Sequence, residues 1–387
     1  MKYATTNSER AVWGRCRHLW LLSEGLGLMS SYEAAPLAFG RAWHACMDAW
    51  WGAMAEGTAN RLDAVQRVAR ARVDAARAKL AGGFSTTNPP AAFDEDDAEH
   101  SESVLLAMCK GYEEQWRVEV GDLKVVATEL ALEARTTSPR DVTSRDNRFA
   151  GHIDKLCQDK DGQFWIIEHK TSGRTRPLSS WLDSHYNPQA ETYAYLLSRA
   201  KPPIKPAGVV YDLALKDVPP APGSLELVKD RTTKRMRLPA RLPRHASEPW
   251  LRAELIRLGQ DLADYRGDLD SLHGDDLTPT LFRREWVRFS GDAWNDVERV
   301  GRELHVVASE LRLAHDKVSH YRKVLLVNPG DHIQTAKAAI SLGAIFPRNA
   351  SGCYAYGRRC EYMDLCRFPS PEAASAFTCK ENLRENP

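Results

Sequence analysis

The sequence predicts an α/β fold with helical additions at both ends. Three observations predict it. Strand-like runs gather between residues 123 and 215, with one helical run among them. Helical periodicity dominates the chain on either side of that stretch. No run of about 18 apolar residues occurs, so no membrane span is expected. The 387 residues suffice for one large domain or two ordinary ones, and an apolar content of 43% is that of a globular protein. A formal net charge of +1 means that any nucleic-acid contact must come from local basic patches. The opening "MKYATTNSERAVWGRC" has no apolar signal-peptide core. A soluble, cytoplasmic protein is the expectation.

Taken in order, residues 8–30 mix Trp, Leu and Arg in a helical pattern, and "APLAFGRAWHACMDAWWGAM" reads as a buried helix. "NRLDAVQRVARARVDAARAKLAGG" is an Ala/Arg-rich helix ended by Gly82 and Gly83. "FSTTNPPAAFDEDDAEHSE" reads as a solvated acidic linker, and "SVLLAMCKGYEEQWRV" returns to helix. "LKVVATELALEA" opens the strands. "HIDKLC" and "FWIIEHK" flank "QDKDGQ", whose Asp-Gly marks a hairpin. "NPQAETYAYLLSRA" is a helix and "AGVVYDLAL" a strand, completing a strand, hairpin, helix, strand core. "KDVPPAPG" breaks the pattern. Residues 229–245 then hold seven Lys or Arg and one acid, and two helical stretches lead to a cysteine-bearing tail. This organisation divides the chain into 1–105, an N-terminal helical region; 106–225, the core; 226–285, a basic insertion with a helix; and 286–387, C-terminal helices. All four are expected to form one integrated domain.

The hairpin carries the first chemical signal. Strand side chains alternate faces, so Glu168 and Lys170 point the same way and Asp154 can face them from the partner strand. Facing carboxylates repel unless a cation lies between them, and Mg²⁺ suits one or two carboxylates together with phosphate oxygens. Gln189 and Tyr193, four apart, share one helix face. His44 lies on an apolar helix, where it can be a satisfied core histidine or a neutral metal ligand. Glu129 and Glu133 precede the hairpin in the first strand, Glu129 being the better placed to add an acidic group.

In this order the motifs read Gly-x-x-x-His (Gly40, His44), Glu129, Gly-x-x-Asp (Gly151, Asp154), Glu-x-Lys (Glu168, Lys170) and Gln-x-x-x-Tyr (Gln189, Tyr193). The chain thereby resembles the RecB-like branch of the PD-(D/E)XK nuclease superfamily, over residues 8–215 and again at the C-terminal cysteines. The resemblance implies a restriction-endonuclease-like core, a central mixed sheet flanked by helices. His44, Asp154, Glu168 and the main-chain carbonyl of His169 would be ligands for Mg²⁺ or Mn²⁺. Lys170 would be the catalytic lysine, and Gln189 and Tyr193 would organise site and DNA. The implied reaction is metal-assisted phosphodiester hydrolysis.

Of eight cysteines, Cys46, Cys109 and Cys157 stand singly in apolar surroundings and read as small buried hydrophobes. Cys353-x6-Cys360-x5-Cys366 is different: three thiols so close suit zinc or an iron–sulfur cluster, with Cys16 or Cys379 as the fourth ligand. The same nuclease branch has a subgroup with a four-cysteine [4Fe–4S] clasp, AddB-like and CRISPR adaptation nucleases among them. One cysteine precedes the Gly-x-x-x-His helix and three lie near the C-terminus. Cys16, Cys353, Cys360 and Cys366 match that layout. The six-residue gap after Cys353 departs from the usual two, and structural Zn²⁺ is the alternative cofactor.

Lys234, Arg235 and Arg237, in the basic stretch, are the candidate contacts to a DNA backbone, against a solvated hairpin. The clasped relatives imply an exonuclease on single-stranded DNA ends, of the kind found in phage or bacterial recombination, repair or replication. Such a protein would work in the bacterial host cytoplasm. No helicase motif is present, so a helicase or recombinase partner would be a separate protein. The competing expectations are a DNA-binding subunit with an idle nuclease fold and a CRISPR adaptation nuclease; a restriction endonuclease fits the clasp less well.

Overall fold

The computed structural model describes residues 4–30, 35–58, 60–81, 95–116, 123–138, 140, 142–172, 188–216, 223, 225–239, 242, 248–265, 282–289, 297–325, 332–357, 360–375 and 377–379. The acidic linker up to residue 94, most of the "KDVPPAPG" break, and Arg241 and Arg244 of the basic stretch lie outside the described residues.

β1 (Ala4–Thr6) leads into α1 (Asn7–Arg15), whose first turn is capped by the Thr6 hydroxyl accepting from the Glu9 amide. The continuous helix expected over residues 8–30 does not form. Cys16 adopts extended backbone, α2 (Arg17–Trp20) restarts with the Cys16 thiol as its cap, and a π-helical turn over Leu21–Gly25 precedes β2 (Leu28–Ser30). Three long helices follow: α3 (Ala35–Ala55), α4 (Arg61–Ala81) and α5 (Glu95–Trp116). α5 begins inside the stretch that reads as linker, because an acidic run is well placed at a helix N-terminus.

The sheet is built from β3 (Leu123–Thr137), β4 (Thr143–Asp159), β5 (Phe164–Ser172), β6 (Pro206–Leu215) and β9 (Phe282–Arg288), with β1 as the sixth strand. Helix α6 (Pro188–Ser198) connects β5 to its parallel neighbour β6. The sheet is mixed: β1–β4 and β5–β6 are parallel, while β3–β4, β4–β5 and β6–β9 are antiparallel. Between β6 and β9 the chain detours through a two-stranded hairpin, β7 (Val228–Lys229) and β8 (Met236–Arg237), and α7 (Glu248–Arg257). It ends in α8 (Val297–Leu325), α9 (His332–Gly343), α10 (Met363–Arg367), α11 (Pro371–Ser375) and β10 (Phe377–Cys379). β1 and β9 escape sequence reading: one is three residues long, and the other, "FRREWVR", has no apolar alternation.

Strand alternation divides the core. Ile167, Val210 and Phe282 face α3 and α5, with Trp43, Trp50, Trp51, Met108 and the three expected buried cysteines Cys46, Cys109 and Cys157. Ile166, Val209, Tyr211 and Leu213 face α6 and α8. A third cluster joins the two ends of the chain, packing Leu19–Leu22 against Leu311, Val318, Leu342, Tyr362 and Leu365. A fourth, of Leu225, Leu238, Leu251, Leu255 and Tyr265, belongs to the detour alone. No helix among the described residues is long and apolar enough to cross a membrane.

Gly208 is required where β6 passes under Trp165. A Cβ there would overlap the Val287 carbonyl and come within 2.8 Å of the Trp165 ring. Gly208→Ala is expected to lower stability by about 3 kcal/mol, as overpacking does. Urea denaturation reads it; an unchanged midpoint would mean that β9 is not seated against β6 at this point.

Candidate functional site

A break in the ladder makes the site. β3 covers one edge of β4 along nearly all its length. On the other edge β1 pairs with Arg148–Ala150 and β5 with Lys155–Gln158. Residues 151–154, the Gly-x-x-Asp motif, fall between the two and have no ladder partner on that edge. The β4–β5 pairing stops at Lys155–Ile167, so the next pair in register, Asp154 and Glu168, stands where the strands part. The His169 amide, which β4 no longer takes, donates instead to Asp154 Oδ2 at 2.8 Å. Gly151 admits α6: a Cβ there would lie 2.9 Å from the Tyr193 ring and 3.0 Å from Leu196.

Around this gap stand six of the residues singled out from the sequence. His44 Nδ1 lies 3.3 Å from Asp154 Oδ1. Lys170 Nζ donates to Glu168 Oε1 at 2.5 Å and to Gln189 Oε1 at 3.1 Å. Gln189 Nε2 donates to the Tyr193 hydroxyl at 2.8 Å, so Glu168, Lys170, Gln189 and Tyr193 form one chain of hydrogen bonds. Asp154 and Glu168 are both buried. Burial alone would raise the Asp154 carboxyl, but the His44 contact and the His169 amide outweigh it and hold it at about 2. Glu168 goes the other way: burial, and then repulsion from Asp154, push it up to about 7 despite Lys170. Burial would lower His44, yet its contact with Asp154 leaves it raised. Tyr193 is raised, chiefly by burial.

Sequence reasoning missed the groups behind these. The His169 side chain faces the opposite side of the sheet, where its Nδ1 is 3.2 Å from Asp212 Oδ2. Tyr112 donates to the same Asp212 oxygen, and Arg284, packed 4.1 Å over the Trp116 ring, donates to the Tyr112 hydroxyl. Asp212, a lone carboxylate in the apolar strand "VVYDLAL", was a usable signal; Tyr112 and Arg284 carried none. The other group is Lys155, which donates to the Asp154 carbonyl at 2.8 Å and to Asp48 Oδ1 at 3.1 Å. Glu129 sits 3.5 Å from the same ammonium, and its own backbone is left-handed at φ 47°, a strain of about 1 kcal/mol. Glu129 thus meets Lys155; Glu133 lies further along and pairs with Arg148.

The four predicted thiols also share a neighbourhood. The Cys16 Sγ accepts from the Leu19 amide at 3.4 Å and from the Asn349 amide at 3.3 Å. Arg15 donates to the Gly352 carbonyl, and the Cys360 amide donates to the Cys353 carbonyl. Burial raises the Cys366 thiol, and Cys16, Cys353 and Cys360 are near enough to raise it further. None of the four is in a disulfide. Cys379 pairs with Leu28 through β10–β2. Lys234, Arg235 and Arg237 lie exposed on the β7–β8 hairpin, whose turn is closed by Asp230 accepting from the Thr232 and Thr233 amides.

Among the described residues no three His, Cys, Asp or Glu side chains stand close enough together to hold a metal ion. At the gap in the sheet, Asp154 meets His44 and Glu168 meets Lys170. The donor set nevertheless fits a hard divalent cation: Glu168 Oε2 is buried with no hydrogen-bond partner among the described residues, beside an ionised Asp154. Thiolates as donors suit a soft cation, but among the described residues no three of these thiols stand close enough together to hold one.

The family model described as the PD-(D/E)XK nuclease superfamily matches residues 8–367. A comparison with curated proteins gave no match.

The two raised groups fix a pH response. Glu168, raised above its unfolded value, stabilises the metal-free fold below about 4.5, and that contribution is lost as pH rises through about 7. His44 acts in the same direction above 6.5. In EDTA, the contribution of Glu168 to stability is expected to fall by on the order of 3 kcal/mol between pH 5 and 8, against a gain up to pH 6.5 from His18, His169 and His305, which burial lowers. Glu168→Gln should remove most of that slope in thermal melts; a slope identical to wild type would place the titration elsewhere.

Proposed function

Because the chain belongs to the PD-(D/E)XK nuclease superfamily, we propose that it is a metal-dependent DNA exonuclease of the RecB-like branch, acting on single-stranded ends. The observation that carries the reading is the pair Asp154 and Glu168 at the gap in the sheet, with Lys170 hydrogen-bonded to Glu168. Asp154, Glu168, His44 and the His169 carbonyl would hold Mg²⁺ or Mn²⁺. When bound, the ion supplies a Lewis acid for the phosphodiester and makes nearby water more acidic. Lys170, fixed between Glu168 and Gln189, orients the attacking water and offsets charge developing on the phosphate. The Tyr193 hydroxyl accepts from Gln189 and keeps its own hydrogen to donate to substrate.

The same reading has two outlying parts. Cys16, Cys353, Cys360 and Cys366 would hold a [4Fe–4S] cluster, supported by the shared neighbourhood of the thiols and by amides donating to Cys16 Sγ. Lys234, Arg235 and Arg237 would contact the DNA backbone, supported by their exposure on the hairpin of an insertion with its own small core. The chain would act as one integrated nuclease, residues 226–281 being an insertion between the adjacent strands β6 and β9, and the last four residues of the 226–285 stretch belonging to β9.

End-labelled single-stranded DNA incubated with Mn²⁺ should shorten from one end, and Asp154→Ala or Lys170→Ala should slow this by at least about a hundredfold. Wild-type rates in either variant would remove that residue from the reaction, and internal cuts would make the protein an endonuclease. Neutralising Lys234, Arg235 and Arg237 together should weaken binding and flatten its logarithmic salt slope by roughly 2; an unchanged slope leaves the hairpin merely solvated.

Protein purified without oxygen should be brown and contain iron, and Cys360→Ala should lose both properties. A colourless, zinc-bearing wild type would replace the cluster with a structural zinc.

A further inference from the structure

Lys155 is wholly buried, yet the chemistry above does not use it. Its ammonium faces three oxygens, each on a different element. The Asp154 carbonyl on β4 lies at 2.8 Å, Asp48 Oδ1 on α3 at 3.1 Å and Glu129 Oε1 on β3 at 3.5 Å. Each of the three is the site itself or one step from it. Asp154 takes the amide of His169 and the imidazole of His44. Asp48 is one helical turn beyond His44, so on α3 the two side chains share a face. His44 to Asp154 and Asp48 to Lys155 are therefore two adjacent rungs between the same helix and the same strand. Glu129 falls opposite Asp154 in the β3–β4 register, and it meets the ammonium while holding a left-handed backbone in the middle of a fifteen-residue strand. Strain kept in a regular strand points to a contact worth keeping.

We infer that Lys155 is a positioning residue. It locks the rotation of α3 against β4, so that His44 and Asp154 present their donors to the same point, and it fixes the peptide that carries Asp154. The inference rests on the metal-site reading above. It also identifies Asp48 as the helix anchor that Lys155 uses. Substitution of Lys155 should leave the fold standing, because the Asp48 and Glu129 side chains are 40% and 48% exposed and stay solvated without it. Only the Asp154 carbonyl loses its donor. A merely structural lysine would change the melting temperature and nothing else.

The test is Mn²⁺ binding by electron paramagnetic resonance, with metal-free thermal melts alongside, on wild type, Lys155→Met and Asp48→Asn. Expected is a metal-free melting temperature close to wild type in both variants, with Mn²⁺ affinity lowered about tenfold or more in Lys155→Met and by less in Asp48→Asn. Wild-type affinity in Lys155→Met would overturn the inference and leave the metal site intact. If Lys155→Met does not fold, Asp48→Asn decides, and wild-type affinity there overturns the inference. A wild type that binds no Mn²⁺ would remove the metal-site reading itself, and this inference with it.

Discussion

Two carboxylates held inside a protein within reach of each other repel, and the surroundings of Asp154 and Glu168 are organised by that repulsion. The two are not treated alike. Asp154 receives an imidazole and a main-chain amide and is held at about 2. Glu168 receives Lys170 on one oxygen, has no hydrogen-bond partner on the other among the described residues, and rises to about 7. One group is a fixed negative charge and the other is poised near neutrality, and a pair pushed apart in this way is a mark of a functional carboxylate site. A cation seated between them would relieve both at once. Such a site asks the fold for stiffness, since carboxylates free to move apart would do so.

That stiffness comes from the reverse side of the strand. Period-two alternation means that a strand showing Glu168 and Lys170 to the gap must bury residue 169 on the other face. That face is the Trp-rich core under α3 and α5, a poor medium for an imidazole. Asp212 answers His169, and Arg284 and Tyr112 answer Asp212, so the charges nearly cancel within a few side chains. Burial lowers His169 and would raise Asp212, but Arg284 holds Asp212 down. A buried network of this kind contributes little net stability, yet it favours one arrangement of β5 against β6 and β9 over any slipped one. Lys155 does on the β4 side what Asp212 does on the β5 side.

The sequence made the hairpin and the β5–α6–β6 unit legible, because each depends on local spacing, whereas the six polar side chains at the gap came from the order of the motifs and the resemblance it carries, since spacing alone left His44 and Tyr193 readable as core. Asp-Gly marks a turn, Glu-x-Lys puts two side chains on one face, and Gln-x-x-x-Tyr does so on a helix. Other features were set by partners far along the chain and left no local trace. Cys16 breaks the first helix because its thiol caps the next one and meets Asn349. β9 reads as a polar run since its arginines are taken up by Asp212, Glu285 and Gln163. Glu129 could be suspected as an acid, but its left-handed backbone and its turn toward Lys155 belong to the assembled sheet.

The cysteines and the gap are related through one helix. α8 is the connection: Val300 and Leu304 pack on the site's side of the sheet, whereas Leu311, Ala314 and Val318 pack with the chain ends, where Cys16, Cys360 and Cys366 lie. From Val300 to Val318 the helix rises about 27 Å. The thiols thus pack with the far end of α8 from the residues that pack on the site's side of the sheet. The route from the chain ends to the gap is short all the same. Glu9 of α1 accepts from Trp20 and contacts His315 on α8, and β1, immediately before α1, closes one side of the gap in β4. β1 thus ties the packing of the chain ends to the edge of β4 immediately before residues 151–154.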